Sequence, residues 1–225
     1  MRRALLLTAL CGAFATAASA NAATTVVYPT GQYPADVQNM QAAVDQGGTV
    51  LLKATNPAGV ATSFNFGPPV RGRGFVDIER NTELVGERTS SAATTIQGGW
   101  GPVSGFGSNT VTVRDIDFRS PLDGAILFLS PSSANTEITG NRVFHVVGAF
   151  RSRRRTTGEA IVVAGGRVAI DDNVVESVDA DNGSGISEFG STGPVEVLRN
   201  RISGTTNHAI ECGGPGTVRI EDNVL

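Results

Sequence analysis

Five stretches decide how this chain folds: Val111-Thr-Val-Arg-Asp-Ile-Asp-Phe118, Thr136-Glu-Ile-Thr-Gly-Asn-Arg-Val143, Val168-Ala-Ile-Asp-Asp-Asn-Val-Val175, Val195-Glu-Val-Leu-Arg-Asn-Arg-Ile202 and Val218-Arg-Ile-Glu-Asp-Asn-Val-Leu225. Each alternates apolar and polar residues, makes a polar bend and returns to an apolar residue. The bend carries Asn141, Asn173, Asn200 and Asn223 at one position, with Ile116 there in the first copy. The copies follow one another at steps of 25, 32, 27 and 23 residues. Between them recurs a second unit: Gly124-Ala-Ile-Leu-Phe128, Glu159-Ala-Ile-Val-Val163, Ser184-Gly-Ile-Ser-Glu188 and His208-Ala-Ile-Glu-Cys212. Two short strands per unit exclude a helical solenoid, whose repeats would carry a period of 3.6.

The physical reading is a coil. Each unit makes one circuit and stacks on the last, about 4.8 Å higher, with parallel hydrogen bonds between circuits. Inward residues then form columns, one of Val113, Ile138, Ile170, Val197 and Ile220, another of Ile126, Ile161, Ile186 and Ile210. β-Branched side chains suit such stacked surfaces. Asn at the bend tolerates a left-handed backbone, and its amide can bond to the same amide one circuit on. Ligand binding is the competing reading of these asparagines. A β-sandwich would need tight hairpin turns such as Asn-Gly, and Asn182-Gly183 is the one such pair, between repeat units.

Outward from the repeat, the flanks fill in the rest. Ala35 to Gln46 places Val37, Met40, Gln41 and Val44 at helical spacing after Pro34, and Gly47-Gly48 stops it. Thr49-Val-Leu-Leu52 reads as the first strand. With 28 glycines and 6% aromatics, the composition suits short strands and tight bends.

The extreme N-terminus reads as an address. Arg2 and Arg3 precede an apolar run from Ala4 to Ala18, and Ala18-Ser19-Ala20 or Ala20-Asn21-Ala22 offers small residues for cleavage. That is the layout of a secretory signal peptide over residues 1–22, too short for a membrane span. Residues 23–225 then form one domain, secreted or periplasmic, with no membrane insertion. Its charge balance of 16 basic against 21 acidic residues points away from nucleic acid. Only Cys212 remains, so no internal disulfide can form. Oligomeric state is left open. Leu225 closes the fifth stretch with no capping element after it, and the expectation is a fragment or truncated form of a longer coil.

The repeat stretches, together with the amphipathic helix, Gly-Gly and Thr49-Val-Leu-Leu52 at the front, resemble the pectate-lyase-like superfamily over about residues 24–225. The resemblance implies an all-β fold, a right-handed parallel β-helix solenoid, with a short N-terminal capping helix. It implies no single activity, because that superfamily holds lyases, hydrolases, epimerases and non-enzymatic adhesins. Its catalytic patterns are incomplete here. The Trp-Ile-Asp-His-like segment of pectate lyases is absent. Asp171-Asp172, Asn207-His208 and Arg219-Ile-Glu221 only shadow the hydrolase pattern.

Several side chains remain as candidates. Asp171, Asp172 and Glu196 lie near one bend a circuit apart and could hold calcium through hard oxygen ligands; the plainer reading is an acidic ridge neutralised by Arg199, Arg201 and Arg219. His208 could serve as a general base oriented by Glu211, with Arg201 near the substrate; a structural histidine is the alternative. Arg151, Arg153, Arg154 and Arg155 fall in the longest step and could grip carboxylates of a uronate polymer in forked pairs, or form a solvated loop. Trp100 offers a face for sugar stacking or for turn packing. Two functions follow: cleavage or binding of an acidic polysaccharide by a lyase-like protein, or a non-catalytic cell-surface, adhesin or scaffold module.

Overall fold

The structure is a computed structural model that describes residues 23–105, 107, 109–129, 135–152 and 155–225. The expected leader, residues 1–22, lies outside the described residues. The chain opens with strand β1 (Thr24–Val27) and helix α1 (Ala35–Val44), then passes three sheets in fixed rotation. The first round is β2 (Gly48–Leu52), β3 (Phe64–Asn65) and β4 (Val76–Asp77); the second is β5 (Thr82–Gly86), β6 (Thr95–Gln97) and β7 (Val103–Gly105). The third is β8 (Thr110–Arg114), β9 (Asp117–Arg119) and β10 (Ile126–Leu129). The fourth is β11 (Asn135–Thr139), β12 (Arg142–Val147), and a hairpin of β13 (Ala149–Ser152) with β14 (Arg155–Ala164). The fifth is β15 (Arg167–Asp171), β16 (Val174–Asp179) and β17 (Asn182–Phe189). The sixth is β18 (Val195–Leu198), β19 (Arg201–Ser203) and β20 (Ile210–Gly213), after which β21 (Val218–Glu221) rejoins the first sheet.

Each sheet collects one strand per round. The first runs β1-β2-β5-β8-β11-β15-β18-β21, the second β3-β6-β9-β12-β16-β19, and the third β4-β7-β10-β14-β17-β20. These neighbours pair in parallel, and β13 alone among the described strands pairs antiparallel, to β14. Among the described residues no helix is long and apolar enough to cross a membrane.

The columns take the register read from the repeats. Val113 pairs with Ile138, Ile138 with Ile170, Ile170 with Val197 and Val197 with Ile220. Ile126, Ile161, Ile186 and Ile210 follow one another on the third sheet. Most of these side chains are wholly buried, each contributing roughly 1.5–3 kcal/mol relative to exposure. Cys212 packs against the same core, and burial first, then Glu188 and Glu211, pushes its thiol up to about 11.

Two expectations need correction. Each round holds three strands rather than two, because the return to an apolar residue after the bend is itself a strand of the second sheet; Val50 pairs with Leu84, and Leu84 with Val113, so the early rounds share the first sheet. They escape notice because the bend position changes chemistry. One residue past β2 and β5, where later rounds carry Asn, stand Lys53 and Glu87, which form an ion pair. Second, the asparagines are not the left-handed residues. The residue before each one is: Gly140 (φ 65°), Asp172 (53°), Arg199 (53°) and Asp222 (57°), with Asp115 (63°) before Ile116. The left-handed residue makes the corner, and the asparagine behind it staples the corner to its neighbours. Asn173 Oδ1 accepts the backbone N–H of Asn141 at 3.0 Å and its Nδ2–H at 3.1 Å. Asn173 Nδ2 donates to Ile138 O at 2.9 Å and to Asn200 Oδ1 at 3.0 Å. Asn141, Asn173 and Asn200 are wholly buried, so these bonds satisfy groups that would otherwise be stranded.

Helix α1 ends at Val44, two residues short of the expected Gln46. It buries Met40, Ala43 and Val44 against β1, β2, β3 and β4, and so covers one end of the core. Buried Asp36 ties it down, accepting the Thr30 N–H at 2.7 Å, the Thr30 hydroxyl at 2.8 Å and the Asn65 N–H at 2.7 Å.

Candidate functional site

Alternation along each strand sends every second side chain outward, so each sheet presents its own outer face. The first sheet carries the acidic candidates. Arg199 contacts the Asp171 carboxylate and lies 3.4 Å from Asp172. Glu196 faces Arg167 at 3.5 Å and Arg219 at 3.7 Å, and Arg219 also holds Glu221 at 2.6 Å. Three rounds earlier Arg114 bonds Glu83 and Asp115, each at 3.1 Å. The face is a ladder of alternating charge. Asp171 is held above the ordinary carboxylate range by burial first, then by Asp172, against the pull of Arg199. This donor set does not suit a calcium ion, since each of the three carboxylates already faces a guanidinium and two share one. Among the described residues no cluster of His, Cys, Asp and Glu forms a metal set.

The third sheet carries the histidine candidate. His208 stands two residues before β20, and its Nδ1 lies 3.3 Å from Glu211 Oε2. Their side chains are 51% and 39% exposed, so both are open to the surface. Glu211 pairs in register with buried Ser187, whose hydroxyl donates to Glu159 Oε1 at 3.5 Å. In the inward column beside it, Glu188 is wholly buried; its Oε1 accepts the Ser191 N–H at 2.8 Å. Arg201 is not brought to the His208–Glu211 pair; it lies in β19, on the second sheet.

The longest step becomes the β13–β14 hairpin on the third sheet. Arg153 and Arg154 lie outside the described residues, as do the side chains of Arg151 and Arg155. Trp100 is half-buried and forms a parallel bridge with Leu122. Its indole N–H donates to Asp123 Oδ2 at 3.3 Å, and its ring meets Phe75 edge-on at 5.9 Å. Both contacts hold the indole against the protein's own side chains.

The second sheet shows what the sequence reading missed. One outward column runs Asp117, Arg142, Val174, Arg201. The next runs Gln97, Arg119, Phe144, Glu176, Ser203. Asp117 is taken by Arg88 at 2.6 Å. Arg119 stacks its guanidinium carbon 5.1 Å from the Phe144 ring centroid, a cation–π contact. Arg142 and Arg201 are exposed and have no ion-pair partner among the described residues. The available signal was that both directly follow a ladder asparagine, in Asn141-Arg142 and Asn200-Arg201. Beside Phe144, His145 is exposed at a second bend, whose left-handed residues are Ser120, His145, Ser177 and Gly204.

No family model matches the chain, and no curated protein or solved structure matches it.

Proposed function

We propose that this protein is an exported, right-handed parallel β-helix of the pectate-lyase-like kind that acts on an acidic polysaccharide. Three parallel sheets visited in rotation, a helix over one end and an asparagine ladder support the fold reading. The leader-like first 22 residues support export.

The observation that carries the activity is the His208–Glu211 pair at 3.3 Å on an exposed edge. A carboxylate on Nδ1 fixes the imidazole tautomer and leaves Nε2 to take a proton. The reaction that suits such a base on a uronate is β-elimination. His208 removes the proton α to the carboxyl, the electron pair forms the new double bond as the bond to the β-oxygen breaks, that oxygen takes a proton from water and leaves as a hydroxyl, and an unsaturated uronate remains. Glu211 stabilises the imidazolium that forms.

The second reading, a non-catalytic surface module, draws on one observation: no arginine joins the His208–Glu211 pair among the described residues to neutralise charge developing on a substrate carboxyl. Incubation with pectate, alginate and chondroitin, with and without calcium, separates the two by the ultraviolet absorbance of unsaturated uronates. The enzyme reading expects new absorbance on at least one polymer, and His208→Ala to lower its rate by about 10²- to 10⁴-fold. Silence of the folded parent protein on all three overturns it in favour of the module.

A further inference from the structure

We infer that the outer face of the second sheet is a binding track for an extended acidic polysaccharide, anchored by Arg142 and Arg201 and bordered by Arg119 on Phe144. The ligand class rests on the polysaccharide reading above; the location does not depend on catalysis.

Pairing is the first argument. On the first sheet the described arginines 114, 167, 199 and 219 each meet a carboxylate. On the second sheet Arg142 and Arg201 meet none among the described residues, although both are exposed. Asp117, the carboxylate in their column, is buried and occupied by Arg88. Glu176 is the one unengaged carboxylate among the described residues of these two columns, against three arginines. These two columns are therefore net positive on a chain of net charge −3.

Spacing is the second argument. Arg142 and Arg201 share one column with Val174 between them, so they stand two rounds, about 10 Å, apart along the stack. Guanidiniums at a fixed repeat match carboxylates or sulfates repeated along a linear polymer, each able to form a forked pair. The third argument is the apolar strip. Val174 lies between the two arginines, and Phe144 lies one column over with Arg119 held on its ring. Such a strip accepts the apolar face of a sugar ring while the charges hold its acidic groups. A flat, half-apolar track suits a flexible single chain better than a rigid duplex.

The test is affinity of the full chain for polygalacturonate, alginate and chondroitin sulfate, with a single-stranded oligodeoxythymidylate as the nucleic-acid arm. The combined variant Arg142→Ala/Arg201→Ala should weaken polysaccharide binding about tenfold or more. The Lys pair at these positions should fall between variant and parent, since a point charge keeps attraction and loses the fork. Arg114→Ala, on the first sheet, should bind as the parent does. Added salt should erode binding by the parent and leave little for the double variant to lose. The inference is overturned if the double variant binds like the parent, if Arg114→Ala loses as much, if the parent binds none of the three polymers, or if the oligonucleotide binds as tightly. His208→Ala separates this track from the activity above. It should retain parental affinity, so a protein that binds but never cleaves defeats the catalytic reading alone.

Discussion

The outer faces of the first and second sheets meet at one corner, stapled by the same asparagines, yet treat their arginines in opposite ways. On the first face Arg199 drops onto Asp171 and Asp172, and Arg219 onto Glu221 and Glu196. On the second, Arg142 and Arg201 flank a valine and meet no carboxylate among the described residues. The difference teaches that the number of arginines says little about a binding surface. What stands beside each of them, on its own strand or one round away, and whether that carboxylate is already taken, decides.

The hardest blow to this comparison would fall on the corner itself. Asn173→Ala removes the acceptor for Asn141 N–H and the donor to Ile138 O. Stranded buried groups cost about 1–3 kcal/mol each, so the variant should lose about 3 kcal/mol or more in chemical unfolding. A loss under about 1 kcal/mol would show that the corner does not depend on its staple.

A milder break targets the first face. Arg199→Ala removes a guanidinium that is itself half in water, and such exposed pairs are worth at most about 1 kcal/mol. Its stability should fall by less than that, and added salt should shrink the gap. A larger loss would mean that the charge ladder holds the fold rather than merely neutralising its surface.

The finest distinction uses pH within the first face. Asp171 has its folded pKa raised above the ordinary 3.8, mainly by burial. Its contribution is fully present below that value and is lost as pH rises through the folded pKa. Asp171→Asn should therefore be slightly more stable than the parent at neutral pH, and the gain should vanish in acid. Glu221 is lowered from 4.5 by its bond to Arg219. Its contribution is present above 4.5 and lost as pH falls through the folded pKa, so Glu221→Gln should be slightly weaker at neutral pH. Thermal unfolding of both variants from pH 3 to 7 checks the signs, and a shared sign would show that burial does not separate the two carboxylates.

Much of the fold was legible because stacking repeats one set of demands every round. Inward positions want β-branched residues, and corners want a left-handed residue with a staple behind it. Val113 to Ile220 and Asn141 to Asn223 show this directly. The early rounds were harder to read because Lys53 and Glu87 meet the corner's demand with charge instead of an amide. The site was legible only in part. His208 and Glu211 share one short strand edge, so their meeting was local. The link from either to Arg201 crosses from the third sheet to the second, and the structure separates them.

From the sequence alone came two inward columns and the asparagine ladder, because these follow from periodicity along the chain, whereas the third strand of each round did not. Only the tertiary structure decided which charges cancel. Rounds of 25, 32, 27 and 23 residues differ in their loops, yet stack in register through their strands. That register sets Asp171 beside Leu198, next to Arg199, and sets Val174 beside Arg201. The first contact consumes a cation; the second leaves one without a carboxylate among the described residues.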